Sequence, residues 1–210
     1  MLTAVALADR FAQFAKADDL RRVVRTLTSG AEDRRARAEY DTGSITEDEA
    51  CLLFSIAELT NARTVIEVGT FIGTSTTAMA GAIGVDVVYT CDVSNDCLPE
   101  QDWIRTYPKR TSTDMLRDLV AKGVKAGLCF FDGTLSEEDV NLLEKVTHER
   151  TVYAFHDYNY GPKIRKGGKH EIMPRKGIGN VRLLQPRLPK HRLIEPFEGS
   201  TLALLVPEAA

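Results

Sequence analysis

The sequence predicts an α/β protein built on a mostly parallel β-sheet, and three observations support this fold class. From residue 46 onward, short runs rich in β-branched residues alternate with segments of helical periodicity, which is typical of consecutive β–α units. The predicted strands end in glycine or in acidic residues, which mark where each strand stops. Two strand-like runs, 191–195 and 201–206, are separated by a short link that contains glycine, which predicts an antiparallel hairpin at the end of the sheet.

Residues 1–45 are predicted to form a helical extension, and residues 46–210 are predicted to form the main domain. The highly charged segment 31–40 is expected to be a solvated helix or a linker. Thr46 followed by Glu49 is a capping-box pair, so a helix is expected to begin at this point. The apolar positions that recur at helical spacing near the start of the chain are Val5, Leu7, Phe11, Phe14 and Leu20.

The remaining elements keep the same alternation of strand and helix. This alternation implies a parallel sheet in which right-handed crossovers connect successive strands. The predicted strands are residues 64–68, 85–91, 126–131 and 151–155. The predicted helices are residues 46–60, 75–83, 113–121 and 136–146, with a short one near 179–184.

The composition is that of an ordinary globular protein. The 210 residues carry a net charge of −3, and no apolar run approaches the roughly 20 residues of a membrane span. The four cysteines show no C-x-x-C spacing, which favours a reducing compartment without disulfides or structural zinc. We therefore expect a cytoplasmic protein. Residues 162–192 contain ten basic residues and one acidic residue, which favours an anionic ligand or partner.

A glycine-rich turn follows the first strand of the predicted sheet. Gly69 lets the backbone come close to a ligand, and Gly73 permits a tight entry into the next helix, whose N-terminal N–H groups favour an anion. The spacing G-x-x-x-G differs from the G-x-G-x-x-G of dinucleotide-binding proteins, and no G-x-x-x-x-G-K-[ST] motif is present. The sequence therefore disfavours a nicotinamide cofactor and excludes a phosphate-loop NTPase.

The segment E-V-G-T-F-I-G-T-S-T resembles the first motif of class I S-adenosylmethionine-dependent methyltransferases. It is most similar to that of the small-molecule O-methyltransferases, namely the catechol and caffeoyl-CoA group and the macrocin and cephalosporin-tailoring group. The upstream segment I-T-E-D-E-A-C-L-L-F-S-I-A-E-L-T resembles the helix that precedes this motif in the same enzymes. The resemblance implies a Rossmann-like, seven-stranded sheet with helices on both faces, and it implies S-adenosylmethionine as the cofactor.

The resemblance also assigns cofactor contacts. The turn would hold the amino group of the cofactor with the backbone of Gly69 and its neighbours, Ser75 would hold the carboxylate, and Glu67 would be a nearby polar support. Asp92 would bind the ribose hydroxyls, since a carboxylate accepts two such hydrogen bonds in a fixed geometry. The segment 112–115 resembles the adenine-contacting stretch. The full set of expected cofactor residues is Glu67, Gly69, Thr70, Phe71, Gly73, Ser75, Asp92, Thr113, Asp114, Met115 and Asp132.

Acidic residues at the ends of two later strands point to a reaction centre. Asp132 closes one strand and Asp157 the next, and strand ends gather at one edge of an open α/β sheet. Two carboxylates and an amide could hold Mg²⁺ or another divalent cation, and the resemblance implies such a site with Asn159 as third ligand, one place later than expected. His156 is a candidate general base, with a metal neighbour or a hydrogen-bonded turn residue as alternatives.

The basic segment follows this centre directly. Lys163, Arg165 and Lys166 are candidates to bind an anionic group on the substrate, and the alternative is a solvated loop. The function favoured by these observations is O-methylation of a small, anionic metabolite, with metal assistance. One alternative is an RNA or modified-nucleoside methyltransferase that uses the basic loop, although the acidic chain disfavours nucleic acid. Another is a non-catalytic cofactor-binding protein. Analogy with the relatives also suggests a homodimer.

Overall fold

The computed structural model describes residues 3–38, 44–93, 101–158, 163–164, 170–171, 176–196 and 200–208, with only the backbone of 163–164 and 170–171. The helices are α1 (Ala4–Ala15), α2 (Asp18–Thr28), α3 (Ala31–Arg37), α4 (Glu47–Leu59), α5 (Thr74–Ala80), α6 (Ser112–Ala121), α7 (Glu137–Val146) and α8 (Lys176–Leu184). The strands are β1 (Thr64–Val68), β2 (Val87–Asp92), β3 (Ile104–Pro108), β4 (Ala126–Phe131), β5 (Thr147–Phe155), β6 (Lys163–Ile164), β7 (His170–Glu171), β8 (His191–Ile194) and β9 (Ala203–Pro207).

The main sheet has seven strands in the order β3-β2-β1-β4-β5-β9-β8. The first five strands are parallel to one another, whereas β9 pairs antiparallel with both β5 and β8. This arrangement confirms the predicted mostly parallel sheet that ends in an antiparallel hairpin. The two-residue strands β6 and β7 form a separate antiparallel pair within the basic segment.

Strand β3 is a strand of the main sheet that the sequence pattern did not reveal. It has five residues and lies at the edge of the sheet, where β2 is its one partner among the strands that the structure describes. Among its residues only Ile104 is buried, so the strand lacks the apolar run by which the buried strands are recognised. Helix α8 begins at Lys176, three residues before the predicted start near residue 179.

Helices cover both faces of the sheet, and alternation along the strands assigns each core residue to a face. On β4, Leu128 and Phe130 belong to the core under α1, α2, α4 and α5. Cys129 and Phe131 of the same strand belong to the core under α6, α7 and α8. This period of two is the geometry of an extended strand buried on both sides. No described helix has the length and apolar character needed to cross a membrane.

The N-terminal helices pack into the core of the main sheet. Phe11 of α1 and Val24 of α2 are fully buried and lie in the same cluster as the apolar face of α4. Val5 and Phe14, which share the predicted helical spacing, are 41% and 38% exposed. The buried face of α1 instead uses small residues beside Phe11, namely Ala4, Ala8, Ala12 and Ala15. Arg34 of α3 donates a hydrogen bond to the carbonyl of Ile72, so the extension also touches the glycine turn.

Candidate active site

A cavity of about 480 Å³ opens at the carboxyl ends of β1, β2 and β4. This is the point where the strand order reverses, since β1 lies between β2 and β4, and ligands of open α/β sheets bind at such a point. The volume lies within the usual range for small-molecule sites. The described residues that line it are Val68, Gly69, Phe71, Cys91, Asp92, Val93, Arg110, Thr111, Ser112, Thr113, Asp132, Gly133, Thr134, Ser136, Asp139 and Lys176.

Two loops meet closely at the floor of this cavity, and glycine is required at the contact. Gly69 has a φ of +95°, a conformation that residues with a Cβ rarely adopt. A Cβ atom on Gly69 would lie 3.0 Å from the backbone nitrogen of Gly133 and 3.1 Å from the carbonyl carbon of Asp132. The Val68 carbonyl accepts hydrogen bonds from the N–H groups of Asp132 and Gly133. The turn after β1 and the turn after β4 are therefore held backbone to backbone.

Glu67 lies beneath the turn and does not line the cavity. Its carboxylate is fully buried and accepts hydrogen bonds from Ser75 Oγ at 2.5 Å, Thr76 Oγ1 at 2.5 Å and Thr90 Oγ1 at 2.6 Å. Burial raises the pKa of Glu67 to about 7, against the opposing effect of these three donors. The Ser75 hydroxyl, expected at the cofactor carboxylate, is thus directed at Glu67. Thr70 is also buried, and its Oγ1 lies 2.5 Å from Thr90 Oγ1.

Asp92 at the end of β2 stabilises the turn after β1. Its Oδ2 accepts a hydrogen bond from the Phe71 N–H at 2.9 Å, and Phe71 has a positive φ of 45°. Both residues line the cavity. A carboxylate has several acceptor positions, so Asp92 can support the turn and still accept hydroxyl groups from a ligand.

The stretch expected to contact adenine divides into two parts. Ser112 and Thr113 line the cavity and donate hydrogen bonds to Asp139, at 2.9 and 2.7 Å. Asp114 instead completes the capping box of α6 with Thr111, and Met115 is fully buried in the core. Neither of these last two residues lines the cavity, because the helix turns them away from it. Asp139, a buried capping residue of α7, was not predicted as a site residue.

Two carboxylates and an imidazole meet at the ends of β4 and β5. His156 Nδ1 lies 2.9 Å from Asp132 Oδ1 and 3.6 Å from Asp157 Oδ1. Asp132 lines the cavity, and Asp157 has a left-handed backbone with a φ of 57°. The donor atoms of these three residues lie within 4.8 Å of one another. The predicted pairing of Asp132 with Asp157 is therefore close, with His156 between them.

Each ring nitrogen of His156 faces a carboxylate. His156 is buried, and its Nε2 lies 3.7 Å from Glu49 Oε2. Burial lowers the pKa of His156, but the contacts with Asp132 and Glu49 and the nearby charge of Asp157 outweigh burial and raise the pKa to about 10. The ring therefore keeps its proton at neutral pH. This environment opposes the predicted role of His156 as a general base, which works best with a pKa near the working pH.

Solved structures of similar fold include O-methyltransferases. An O-methyltransferase from Bacillus cereus in complex with S-adenosylhomocysteine is 17% identical, with a TM-score of 0.62 over 86% of this chain and 90% of that chain. TomG from Streptomyces achromogenes, in complex with S-adenosylmethionine, is 17% identical, with a TM-score of 0.61 over 87% of this chain and 90% of that one. This chain has the class I methyltransferase fold. MycE, a methyltransferase of the mycinamycin pathway in complex with magnesium and S-adenosylhomocysteine, is 13% identical. Its TM-score is 0.55, over 88% of this chain and 54% of that chain.

No family model and no curated protein matches the sequence. Lys176 at the start of α8 also lines the cavity, and the sequence did not predict it as a site residue. Its Nζ lies 3.4 Å from the carbonyl oxygen of Asp132 and 4.0 Å from Asp157 Oδ2. It belongs to the basic segment, but only the tertiary structure distinguishes it from the other cations there. Asn159, Arg165 and Lys166 lie outside the described residues, and the side chain of Lys163 does as well.

Proposed function

We propose that this chain binds S-adenosylmethionine and transfers its methyl group to a hydroxyl oxygen of a small molecule. One observation carries the proposal: the cavity at the strand-order reversal is lined by Asp132, whose carboxylate belongs to the cluster with His156 and Asp157. A site for a cofactor thus adjoins a group of carboxylates suited to a hydroxyl. The fold shared with cofactor-bound O-methyltransferases supports the same assignment.

The cofactor would lie along the turn after β1. The close approach of Gly69 to Gly133 leaves backbone rather than side chains at the cavity floor, which favours contact with the methionine part. Asp92 would accept hydrogen bonds from the ribose hydroxyls, and Ser112 and Thr113 would lie beside the adenine. In this proposal Glu67 and Ser75 support the turn from below. When bound, S-adenosylmethionine supplies an electrophilic methyl group on a sulfonium.

The carboxylates at the end of the cavity would orient the acceptor. Either Asp132 or Asp157 can accept a hydrogen bond from the acceptor hydroxyl and take its proton, whereas His156 already holds a proton and stabilises both carboxylates. Lys176 places a positive charge next to Asp157 and lines the cavity, so it favours an acidic hydroxyl or an anionic acceptor. Holding the nucleophile in line and excluding water is the main requirement of methyl transfer.

The same cluster offers a donor set for a divalent cation. Asp132, His156 and Asp157 each provide one ligand atom, and these three atoms lie within 4.8 Å of one another. Carboxylates suit Mg²⁺, and an imidazole also suits transition ions such as Mn²⁺. We propose that these three residues would hold the ion, which would lower the pKa of an acceptor hydroxyl when bound. The imidazole must then give up the proton that it shares with Asp132.

Calorimetry with S-adenosylhomocysteine tests the cofactor step, with the Gly69→Ala variant as the negative control. Incubation with methyl-labelled S-adenosylmethionine and a panel of phenols, catechols and sugar hydroxyls, with EDTA or with added Mg²⁺ or Mn²⁺, tests transfer. We expect binding, and label in an acidic hydroxyl compound. No binding under any metal condition would contradict the proposal. Binding without transfer to any class of acceptor would support a non-catalytic protein, and label in RNA would support a nucleic-acid substrate.

A further inference from the structure

Glu49 is a buried carboxylate that connects the first turn of α4 to Thr201, just before β9. Its Oε2 accepts hydrogen bonds from Thr46 N at 2.9 Å and from Thr46 Oγ1 at 3.0 Å. Its Oε1 accepts from Thr201 N at 2.9 Å and from Thr201 Oγ1 at 2.6 Å. Only 2% of the residue is exposed. A capping box requires the contacts with Thr46 alone, so the burial and the bonds to Thr201 call for a further explanation.

The same carboxylate faces the reaction centre. Glu49 Oε2 lies 3.7 Å from His156 Nε2, and the opposite nitrogen of that ring contacts Asp132, which lines the cavity. Both side chains are buried, so a carboxylate oxygen and an imidazole nitrogen face each other out of contact with water, and buried polar groups are stable when they are paired. The ring of His156 is held from both sides.

The turn that carries Asp157 is held from the same place. The Tyr158 N–H donates to the Thr201 carbonyl at 2.8 Å, while the N–H and hydroxyl of Thr201 both donate to Glu49. Asp157 lies between His156 and Tyr158 with its left-handed φ, a conformation that residues other than glycine keep only when neighbours stabilise it. Both flanks of Asp157 are therefore tied, directly or through Thr201, to one carboxylate.

We propose that Glu49 is a positioning residue for the reaction centre, which orients the ring of His156 and, through Thr201, the turn that presents Asp157. Its effect on catalysis rests on the methyl transfer proposed above. Glu49 itself is not among the residues that line the cavity, so its loss should change the reaction centre and leave cofactor affinity close to that of the wild type.

The test compares Glu49→Gln with Thr46→Ala in the full chain. Glutamine keeps a side chain that completes a capping box, whereas Thr46→Ala weakens the cap and keeps the carboxylate. Imidazole N–H signals in ¹⁵N-histidine-labelled protein report the ring directly, with His156→Gln as the assignment standard. We expect the Nε2–H signal of His156 to exchange with water about tenfold faster in Glu49→Gln, and to stay at the wild-type rate in Thr46→Ala.

Calorimetry with S-adenosylhomocysteine completes the test. We expect the Kd of both variants to stay within about twofold of the wild type, because the cavity lining is unchanged. An unchanged ring signal in Glu49→Gln would overturn the proposal, and so would an equal change in Thr46→Ala, which would indicate helix loosening alone. The ring signal needs neither cofactor nor acceptor. If the wild type fails to bind S-adenosylhomocysteine, the proposed function fails while the positioning role is still decided by the spectra.

If the wild type methylates one of the acceptors, steady-state kinetics can also measure the effect of Glu49 on the reaction apart from its effect on cofactor binding. Glu49→Gln should lower kcat and leave the KM for S-adenosylmethionine near the wild-type value, because the change acts on the carboxylates and not on the cofactor cavity. Full retention of kcat alongside a changed ring signal would mean that Glu49 positions His156 without consequence for the reaction.

Discussion

His156 and Asp132 form a direct contact between the ends of two neighbouring parallel strands, with 2.9 Å between Nδ1 and Oδ1. The contact joins the end of β5 to a residue that lines the cavity at the end of β4. Because the ring is buried and also faces Glu49 and Asp157, its charge is part of the architecture of the site. The charge state of His156 therefore reports how this edge of the sheet is assembled.

Replacement of Asp132 by asparagine should lower the pKa of His156, because the closest partner of the charged ring is lost. The folded pKa of about 10 lies above the unfolded value near 6.5, so the pairing stabilises the fold fully below pH 6.5 and is lost as the pH rises through 10. NMR titration of the ring in EDTA measures the pKa directly. Asp118→Asn, a change at an exposed pair on α6, is the control. An unchanged pKa in Asp132→Asn would show that the contact is absent in solution.

Replacement of Gly69 by alanine should weaken cofactor binding. The new methyl group would meet the backbone of Gly133 at 3.0 Å, and the positive φ adds strain. Gly123→Ala is a matched control, because Gly123 has a φ of +66° and no described atom lies within 4 Å of the position that its Cβ would take. The left-handed backbone should cost each variant about 1 kcal/mol of stability, and Gly69→Ala should lose more because of its contact with Gly133. Only Gly69→Ala should weaken binding of S-adenosylhomocysteine by more than about tenfold. Equal binding by the two variants would contradict the proposed cofactor position.

Replacement of Glu67 by glutamine should flatten the pH dependence of stability. The folded pKa of about 7 exceeds the ordinary glutamate value of 4.5, so the folded state binds the extra proton between these values and stability falls as the pH rises from 4.5 to 7. The wild type should lose about 3 kcal/mol over this window relative to Glu67→Gln. Urea denaturation at pH 5 and pH 8 measures the difference, with the exposed Glu208→Gln as control. A parallel pH dependence in Glu67→Gln and the wild type would argue against a raised pKa.

Replacement of Lys176 by methionine should tighten the binding of a divalent cation at the cluster. The ammonium group lies 4.0 Å from Asp157 Oδ2 and competes with a cation for that carboxylate. Because the lysine side chain is 38% exposed, solvent screens much of this repulsion, and we expect an effect of about three- to thirtyfold in Kd. Titration with Mn²⁺ followed by electron paramagnetic resonance measures it. Lys190→Met, which alters an exposed lysine outside the cavity lining, should leave the Kd unchanged; a shift of equal size there would point to a general charge effect.

Local patterns were sufficient for most of the fold and for part of the site. The alternating strand β4, the capping box at Thr46 and the glycine turn after β1 depend on residues adjacent in sequence, and their periodicity and spacing can be read directly. The strand ends identified Asp92, Asp132 and Asp157, because the carboxyl ends of parallel strands share one edge. The short edge strand β3 was not predicted, because few of its residues are buried and its sequence therefore has no apolar pattern.

The partners of the side chains were decided by tertiary packing. The sequence determined that Glu49 would cap a helix and that Ser75 would follow the glycine turn, but only the packed structure directs Ser75 at the buried Glu67 and joins Glu49 to Thr201, 152 positions away. It likewise selects Lys176 from the many cations of its segment and places it beside Asp157. The physical reason is that helix caps and strand alternation are set by neighbouring residues, whereas the partner of a buried polar group is whatever the folded chain brings within reach once water is excluded.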